Sequence, residues 1–193
     1  MLKKLYNWVL QWANTPYGVP ALSLVSFSEA SFFLIPPDPL LMALCLGRPR
    51  RSFWYATICS AMSVLGGIFG YLIGWGLWEL VHNFFFTYIF SHNAFLYVSG
   101  RYEENAFIAI LGAALTPIPF KVFTVTAGVF KINLMILILA SAIGRSGRFF
   151  LEGGLIYFFG EQIKTFIDRY FNILVTVFFI LLLVGFIIIK YLI

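Results

Sequence analysis

The sequence FFLIPPDPLL at residues 32–41 interrupts a long apolar segment with three prolines, Pro36, Pro37 and Pro39. Proline has no backbone N–H to donate and its ring clashes with the preceding helical turn, so this cluster ends any helix that reaches it. The apolar piece that follows, 40–46, is too short to cross a bilayer, since a spanning helix takes roughly 20 residues. The stretch therefore predicts a broken hairpin rather than a continuous transmembrane helix.

A second proline break, TPIPFK at residues 116–121, has a similar setting. It follows the apolar piece 106–115 and leads to a glycine near a basic residue, as the first break does. The positions that align between the two halves are Pro37 with Pro117, Pro39 with Pro119, Gly47 with Gly128, and Tyr71–Gly74 with Tyr157–Gly160. These matches predict an internal repeat, of the kind that many transporters carry.

The composition of the whole chain is typical of a protein embedded in a membrane. Of its 193 residues, 61% are hydrophobic and only 11% are charged, and the mean hydropathy is +0.92. A soluble domain of this size does not bury so large an apolar fraction. Segments 53–78, 134–159 and 171–189 are each long and apolar enough to cross a bilayer.

Positive charges predict how the segments are oriented. Lys3, Lys4 and the arginine cluster at 48–51 are expected to face the cytoplasm. The first hairpin then enters and leaves the membrane from that side, segment 53–78 crosses outward, and the second hairpin dips in from outside. The two repeats are therefore inverted, with broken helices that meet near the midplane as in known transporters.

The predicted fold class is an all-α polytopic membrane protein. It contains two inverted repeats, each with a re-entrant proline-broken helical hairpin plus a transmembrane helix, and a C-terminal transmembrane helix. The chain is expected to form a single membrane domain over residues 1–193. Its predicted parts are an interfacial amphipathic helix at 1–15, a first repeat at 17–78, an interfacial linker at 79–105, a second repeat at 106–160, and an amphipathic turn with the C-terminal span at 161–193.

Six ionisable residues fall inside the hydrophobic segments, and their charges balance. The acidic ones are Glu29, Asp38 and Glu152, and the basic ones are Lys121, Arg145 and Arg148. An unpaired charge at membrane depth opposes insertion by about 2.5–3.5 kcal/mol, so these residues are expected to pair or to line water. Because Glu29 and Asp38 belong to the first half and the basic residues to the second, opposed hairpin tips would bring opposite charges together.

Two functional roles and one structural role are open to these residues. Lys121, Arg145 and Arg148 are predicted to bind an anionic phosphate headgroup, since the arginine fork matches phosphate oxygens. Glu29 and Asp38 are predicted to carry a proton, because burial disfavours the charged form of a carboxylate. Structural ion pairs are the alternative, and for Glu152, four residues after Arg148, a structural pair is the favoured interpretation.

No sequence pattern favours an enzyme. GRSG at 144–147 fits the Gly-x-Ser-Gly pattern of intramembrane serine proteases, but the two histidines, His82 and His92, fall in the predicted linker and not beside the serine. Cys45 and Cys59 lie in apolar stretches and are expected to be buried. No cofactor and no metal site is predicted, and the scattered basic residues argue against a nucleic acid partner.

Four features between residues 19 and 160 form one pattern. They are Glu29 ahead of PPDP at 36–39, the glycine-rich stretch 66–76, PIPFK at 117–121 leading to Gly128, and GR at 144–145 with RF at 148–149. Their order resembles the DedA family, also called the VTT or SNARE-associated domain, and more narrowly its YqaA-like branch. The resemblance implies paired re-entrant hairpins and transport of undecaprenyl phosphate or phospholipids between leaflets, often linked to the proton gradient. It also implies that Glu29 and Asp38 are the essential acidic pair.

The chain departs from the commoner DedA pattern around the second proline motif. That pattern has two arginines flanking the motif, whereas here Leu115 and Thr116 precede Pro117 and only Lys121 follows. Arg145 and Arg148 are therefore expected to supply the missing positive charge.

The sequence thus predicts a lipid flippase or scramblase and leaves proton coupling open. The protein is expected in the inner (cytoplasmic) membrane, multi-pass and with a cytoplasmic N-terminus. Its expected partners are membrane lipids, either anionic phospholipid or polyprenyl phosphate, and protons. The small-residue face at 66–76 lets another helix approach closely, either within the chain or in a homo-oligomer. Two alternatives stay open, a proton-coupled small-ion or solute transporter and a non-transporting membrane scaffold.

Overall fold

A computed structural model describes residues 17–33, 35–88, 92–116, 118–160 and 162 of the chain. The predicted interfacial helix at 1–15 and the predicted last span at 171–189 lie outside the described residues, as does Pro117.

Every regular element in these ranges is helical, which confirms the all-α class. The helices are α1 (Gly18–Ser31), α2 (Asp38–Gly47), α3 (Ser52–Tyr88), α4 (His92–Leu115), α5 (Phe120–Val129) and α6 (Leu134–Gly160), with a single 3-10 turn at Pro49–Arg51 before α3.

The helices are interrupted at both proline motifs. Helix α1 ends where the N–H groups of Phe32 and Phe33 both donate to the Ser28 carbonyl, and Pro36 is outside any helix. Pro37 is the N-cap of α2, and Pro39 lies in its first turn, where a missing N–H costs nothing. Pro119 likewise precedes α5. We call α1, residues 32–37 and α2 the first hairpin, and the end of α4, residues 116–119 and α5 the second hairpin.

Two helical segments, Pro49–Leu80 and Leu134–Gly160, are long and apolar enough to cross a membrane. Their most apolar windows are only 39% and 33% buried, so most of their surface faces outward. Large side chains on that surface include Trp54 and Leu65 in α3 and Leu151 and Phe158 in α6, each more than half exposed. Since a core helix of a soluble protein would bury this surface, it indicates association with a membrane.

The predicted linker at 79–105 is mostly helical. Helix α3 continues past Trp78 to Tyr88, and α4 starts at His92 and runs through the predicted start of the second repeat. The physical reason is local, because residues 79–88 and 92–105 contain no proline and a single glycine, Gly100, so neither stretch has a strong helix breaker.

A stripe of glycines on α3 lets both hairpins approach its backbone. A Cβ atom on Gly66 would overlap the Phe27 carbonyl of α1, and one on Gly74 would overlap the Val125 carbonyl of α5. Gly70, between them, would meet Thr124 Oγ1 at 2.6 Å. Glycines spaced by four residues lie on one helix face, so α1 and α5 pack at successive turns of the same side of α3.

Buried side chains form two hydrophobic clusters. The first joins the first hairpin to α3 and α6, and includes Leu22, Leu41, Leu44, Cys45, Cys59 and Phe149. The second joins the second hairpin to α6 and to the end of α1, and includes Ala30, Ile110, Phe120, Ala127 and Leu137. Both cysteines are buried and unpaired, as the sequence predicts. The hairpins and α6 are therefore held in fixed relation around the charged residues that lie between them.

Candidate functional site

The charged residues of the candidate site come from four helices. Glu29 lies in the last turn of α1, Asp38 is the first residue of α2, and Lys121 is in the first turn of α5. Arg145, Arg148 and Glu152 lie in the middle of α6. Their spacing of three and four residues puts these three side chains on one face of the helix. The proline breaks thus bring one helix end and two helix starts against a continuous helix.

Arg145 is the most deeply buried charge of the site. Its Nη2 donates to Glu29 Oε2 at 2.9 Å, with the arginine side chain 3% exposed and the glutamate side chain 13% exposed. The guanidinium carbon lies 4.2 Å from the centroid of the Phe120 ring, a distance at which cation–π attraction adds to the ion pair. The Nε atom of Arg145 is buried with no hydrogen-bond partner among the described residues. This guanidinium therefore keeps a donor for a further acceptor.

Arg148 connects three parts of the chain through one guanidinium. Its Nε donates to Asp38 Oδ1 at 2.8 Å, and its Nη2 donates to the same oxygen. Its Nη1 donates to the Thr116 carbonyl at 2.9 Å, in the second hairpin. Its Nε also lies 3.3 Å from Glu152 Oε1, one turn along α6. Arg148 thus ties the start of α2 and the tip of the second hairpin to α6.

The tips of the two hairpins also contact each other directly. Lys121 Nζ donates to the Phe33 carbonyl at 3.0 Å, and Thr124 Oγ1 donates to the Ala30 carbonyl at 3.0 Å. Both acceptors lie where α1 ends, so their carbonyls have lost their partners within the helix. Side chains of the second hairpin therefore satisfy backbone groups that the first proline motif exposes.

These contacts confirm the predicted pairing of charges between the two halves. Glu29 binds Arg145 and Asp38 binds Arg148, while Lys121 binds a backbone carbonyl. The predicted pair of Arg148 with Glu152 is also present. The roles in substrate binding and in proton coupling stay predictions.

Three contributors to the site were not predicted from the sequence. Phe120 lies under the Arg145 guanidinium. Its position between Pro119 and Lys121 could have indicated that it lies near the site. The carbonyls of Phe33 and Thr116 carried no signal at all, because every residue has a carbonyl and only the fold decides which ones lose their helical partners.

The chemistry available here is the exchange of anions on arginine. A carboxylate and a phosphate present similar pairs of oxygens to a guanidinium, so an arginine that holds one can hold the other. Among the described residues, no group of three or more histidine, cysteine or acidic side chains is arranged to hold a metal ion. The site therefore offers charge-assisted hydrogen bonds at arginine, and carboxyl groups that can gain or lose a proton.

Comparison with known proteins gives relatives whose names state no function. A protein of Haemophilus influenzae, described only as uncharacterized, is 32% identical over 158 residues, which cover 82% of each chain. A protein of Histophilus somni, described as an uncharacterized homolog, is 27% identical over 158 residues, again 82% of each chain. No family model matches the sequence, and no solved structure matches the fold.

Proposed function

The chain belongs to the same family as the Haemophilus influenzae protein, and we propose that it moves phosphate-bearing lipids between membrane leaflets as a flippase or scramblase. One observation carries this proposal. The guanidinium groups of Arg145 and Arg148 are held by carboxylates from the other half of the chain, at the junction of two broken hairpins. Structural ion pairs alone are an expensive use of charge inside a bilayer, whereas a lipid phosphate that crosses the membrane needs such groups on its path.

In this scheme the two carboxylates occupy the arginine positions that the lipid phosphate would otherwise bind. While Glu29 and Asp38 are ionised they neutralise Arg145 and Arg148, so the empty site carries no uncompensated arginine. When a carboxyl gains a proton it no longer competes for the guanidinium, and a lipid phosphate takes its place. Proton binding and phosphate binding then favour each other, which couples lipid movement to the proton gradient.

The contacts between the hairpin tips are suited to opening. Lys121 and Thr124 each hold the first hairpin by one hydrogen bond to a backbone carbonyl. Such a bond contributes about 0.5–1.5 kcal/mol net, so the tips separate at a cost that binding of a charged headgroup can offset. The acyl chains of the lipid stay outside, against the exposed apolar faces of α3 and α6.

The arrangement of glycine contacts supports an inverted repeat. In the first half, Gly66 of α3 packs on α1, and in the second half, Gly144 of α6 packs on Leu111 and Ala114 of α4. Helix α3 also packs on α5 of the other half through Gly74. Helix α6 in turn meets α2 of the other half, where Phe149 joins the first cluster. These equivalent contacts support a repeat, and with the distribution of positive charge we propose two hairpins that enter the membrane from opposite sides.

We also propose that this family is a branch of the DedA family and that the protein lies in the inner membrane as a multi-pass protein with a cytoplasmic N-terminus. The support is the motif order of the sequence together with two apolar helices of spanning length.

Purified protein in liposomes should accelerate the equilibration of a labelled phosphate-bearing lipid between leaflets. Arg145→Ala should slow it at least about tenfold, because a lost charge-assisted hydrogen bond costs roughly 1.5–3 kcal/mol. Arg50→Ala, at an exposed arginine outside the site, is the matched control and should retain the rate. A rate in wild-type liposomes no higher than in empty ones would contradict the proposal. Proton flux without lipid movement, read with an entrapped pH dye, would instead favour the small-ion transporter.

A further inference from the structure

Arg148 has more negative charge around it than it can neutralise. Asp38 and Glu152 both approach its guanidinium, at 2.8 Å and 3.3 Å from Nε. The nearest other cation on this face of α6, Arg145, is already paired with Glu29. If Asp38 and Glu152 were both ionised, one buried negative charge would be left over, which is strongly unfavourable in a setting with little water.

The geometry of Glu152 indicates that the excess negative charge is neutralised by a proton on this residue. Its Oε1 atom makes the long contact with Arg148, and its Oε2 atom is buried with no hydrogen-bond partner among the described residues. The carboxyl groups of Asp38 and Glu152 are close neighbours, because Asp38 Oδ1 and Glu152 Oε1 both contact the same atom, Arg148 Nε. Two ionised carboxylates repel at this distance, whereas a protonated one donates to its neighbour.

We propose that Asp38 and Glu152 share one proton, and that Glu152 holds it while Asp38 is paired with Arg148. This assigns a proton to the residue that the sequence favours as a purely structural partner of Arg148. The other nearby groups do not supply a second countercharge. Glu152 interacts with the thiols of Cys45 in α2 and Cys59 in α3, and Arg145, which interacts with Asp38, is neutralised by Glu29.

Movement of this proton would change which helices Arg148 connects. As the O–H bond of Glu152 breaks and an O–H bond forms on Asp38, the negative charge passes from Asp38 to Glu152, and Arg148 stays protonated throughout. Arg148 then pairs with a carboxylate of its own helix, and α2 loses its ionic tie to α6. The release of the first hairpin on arrival of a lipid phosphate rests on the proposed function. The location of the proton on Glu152 is independent of that function.

Infrared spectroscopy of the protein reconstituted in lipid tests the location directly. The wild-type protein should show the carbonyl stretch of a buried protonated carboxylic acid at neutral pH, shifted in heavy water. Glu152→Gln should remove this band, and so should Asp38→Asn, because Glu152 alone beside Arg148 ionises. Glu29→Gln and the exposed control Glu103→Gln should both retain it. Size-exclusion profiles of the same samples show that each variant is folded.

The absence of the band from the wild-type protein, or its persistence in both Glu152→Gln and Asp38→Asn, would overturn the inference. The outcome is separate from that of the liposome assay. A band that behaves as expected in a protein that moves no lipid supports the shared proton and contradicts the proposed function. Lipid transport by a protein without the band supports the proposed function and contradicts the shared proton.

Discussion

Replacing Arg148 by methionine is expected to lower the free energy of unfolding by about 3–5 kcal/mol and to abolish lipid transport, because it leaves a buried carboxylate without its partner. The side chains of Arg148 and Asp38 are only 17% and 15% exposed, so water screens the lost charge poorly. The variant also loses the hydrogen bond to the Thr116 carbonyl that ties the second hairpin to α6. Denaturant unfolding in mixed micelles measures the stability.

Further variants separate charge from packing in this prediction. Adding Asp38→Asn to Arg148→Met removes the stranded charge and should recover a large part of the lost stability, while transport stays absent. Arg50→Met, at an exposed arginine, should change neither quantity. A double variant no more stable than Arg148→Met alone would mean that the Asp38 carboxylate is not the source of the loss.

Gly66→Ala is expected to destabilise the fold by about 1–3 kcal/mol or more, through steric overlap alone. The added methyl group would overlap the backbone of Phe27, which cannot move without shifting α1 and the carboxylate of Glu29 with it. Gly76→Ala, in the same helix, is the matched control because nothing lies within 4 Å of its added Cβ. That variant should gain up to about 1 kcal/mol from helix propensity. If the unfolding midpoints of both variants shifted in the same direction by the same amount, the close approach of α1 to α3 would be contradicted.

The sequence predicted the hairpin breaks and the charge pairing for clear physical reasons. Three prolines in four residues permit no helix, and six charges among apolar residues must find partners. The pattern of Gly66, Gly70 and Gly74 indicated a close helix neighbour, since only glycine permits that approach. These are local or composition-level constraints, and they hold whatever the rest of the chain does.

Other features depend on distances that a sequence does not contain. That Glu29 pairs with Arg145 and Asp38 with Arg148, rather than the reverse, follows from how far α1 and α2 extend along α6. The proximity of Asp38 to Glu152 was not predicted, because the spacing of four residues already gave Glu152 a partner in Arg148. The helical conformation of residues 79–88 and 92–105 was not part of the prediction, because aromatic density indicates an interface but does not determine backbone conformation.

The paired arginines hold the halves together and at the same time form the proposed binding site. An empty site that closes on its own carboxylates stays stable in the bilayer without substrate. This arrangement requires the ion pairs to be exchangeable, which distinguishes a transporter from a scaffold that keeps the same charges permanently paired.

The most direct test of the central claim is solid-state magnetic resonance of the lipid-reconstituted protein, measuring dipolar coupling between isotope-labelled arginine guanidinium carbons and lipid phosphorus. All five arginines outside the site are changed to lysine, so that only Arg145 and Arg148 carry the label; they are Arg48, Arg50, Arg51, Arg101 and Arg169. The account predicts carbon–phosphorus coupling at mildly acidic pH that disappears when Arg145 and Arg148 are also changed to lysine. Coupling that is absent at every pH, or unchanged by those two substitutions, would contradict it.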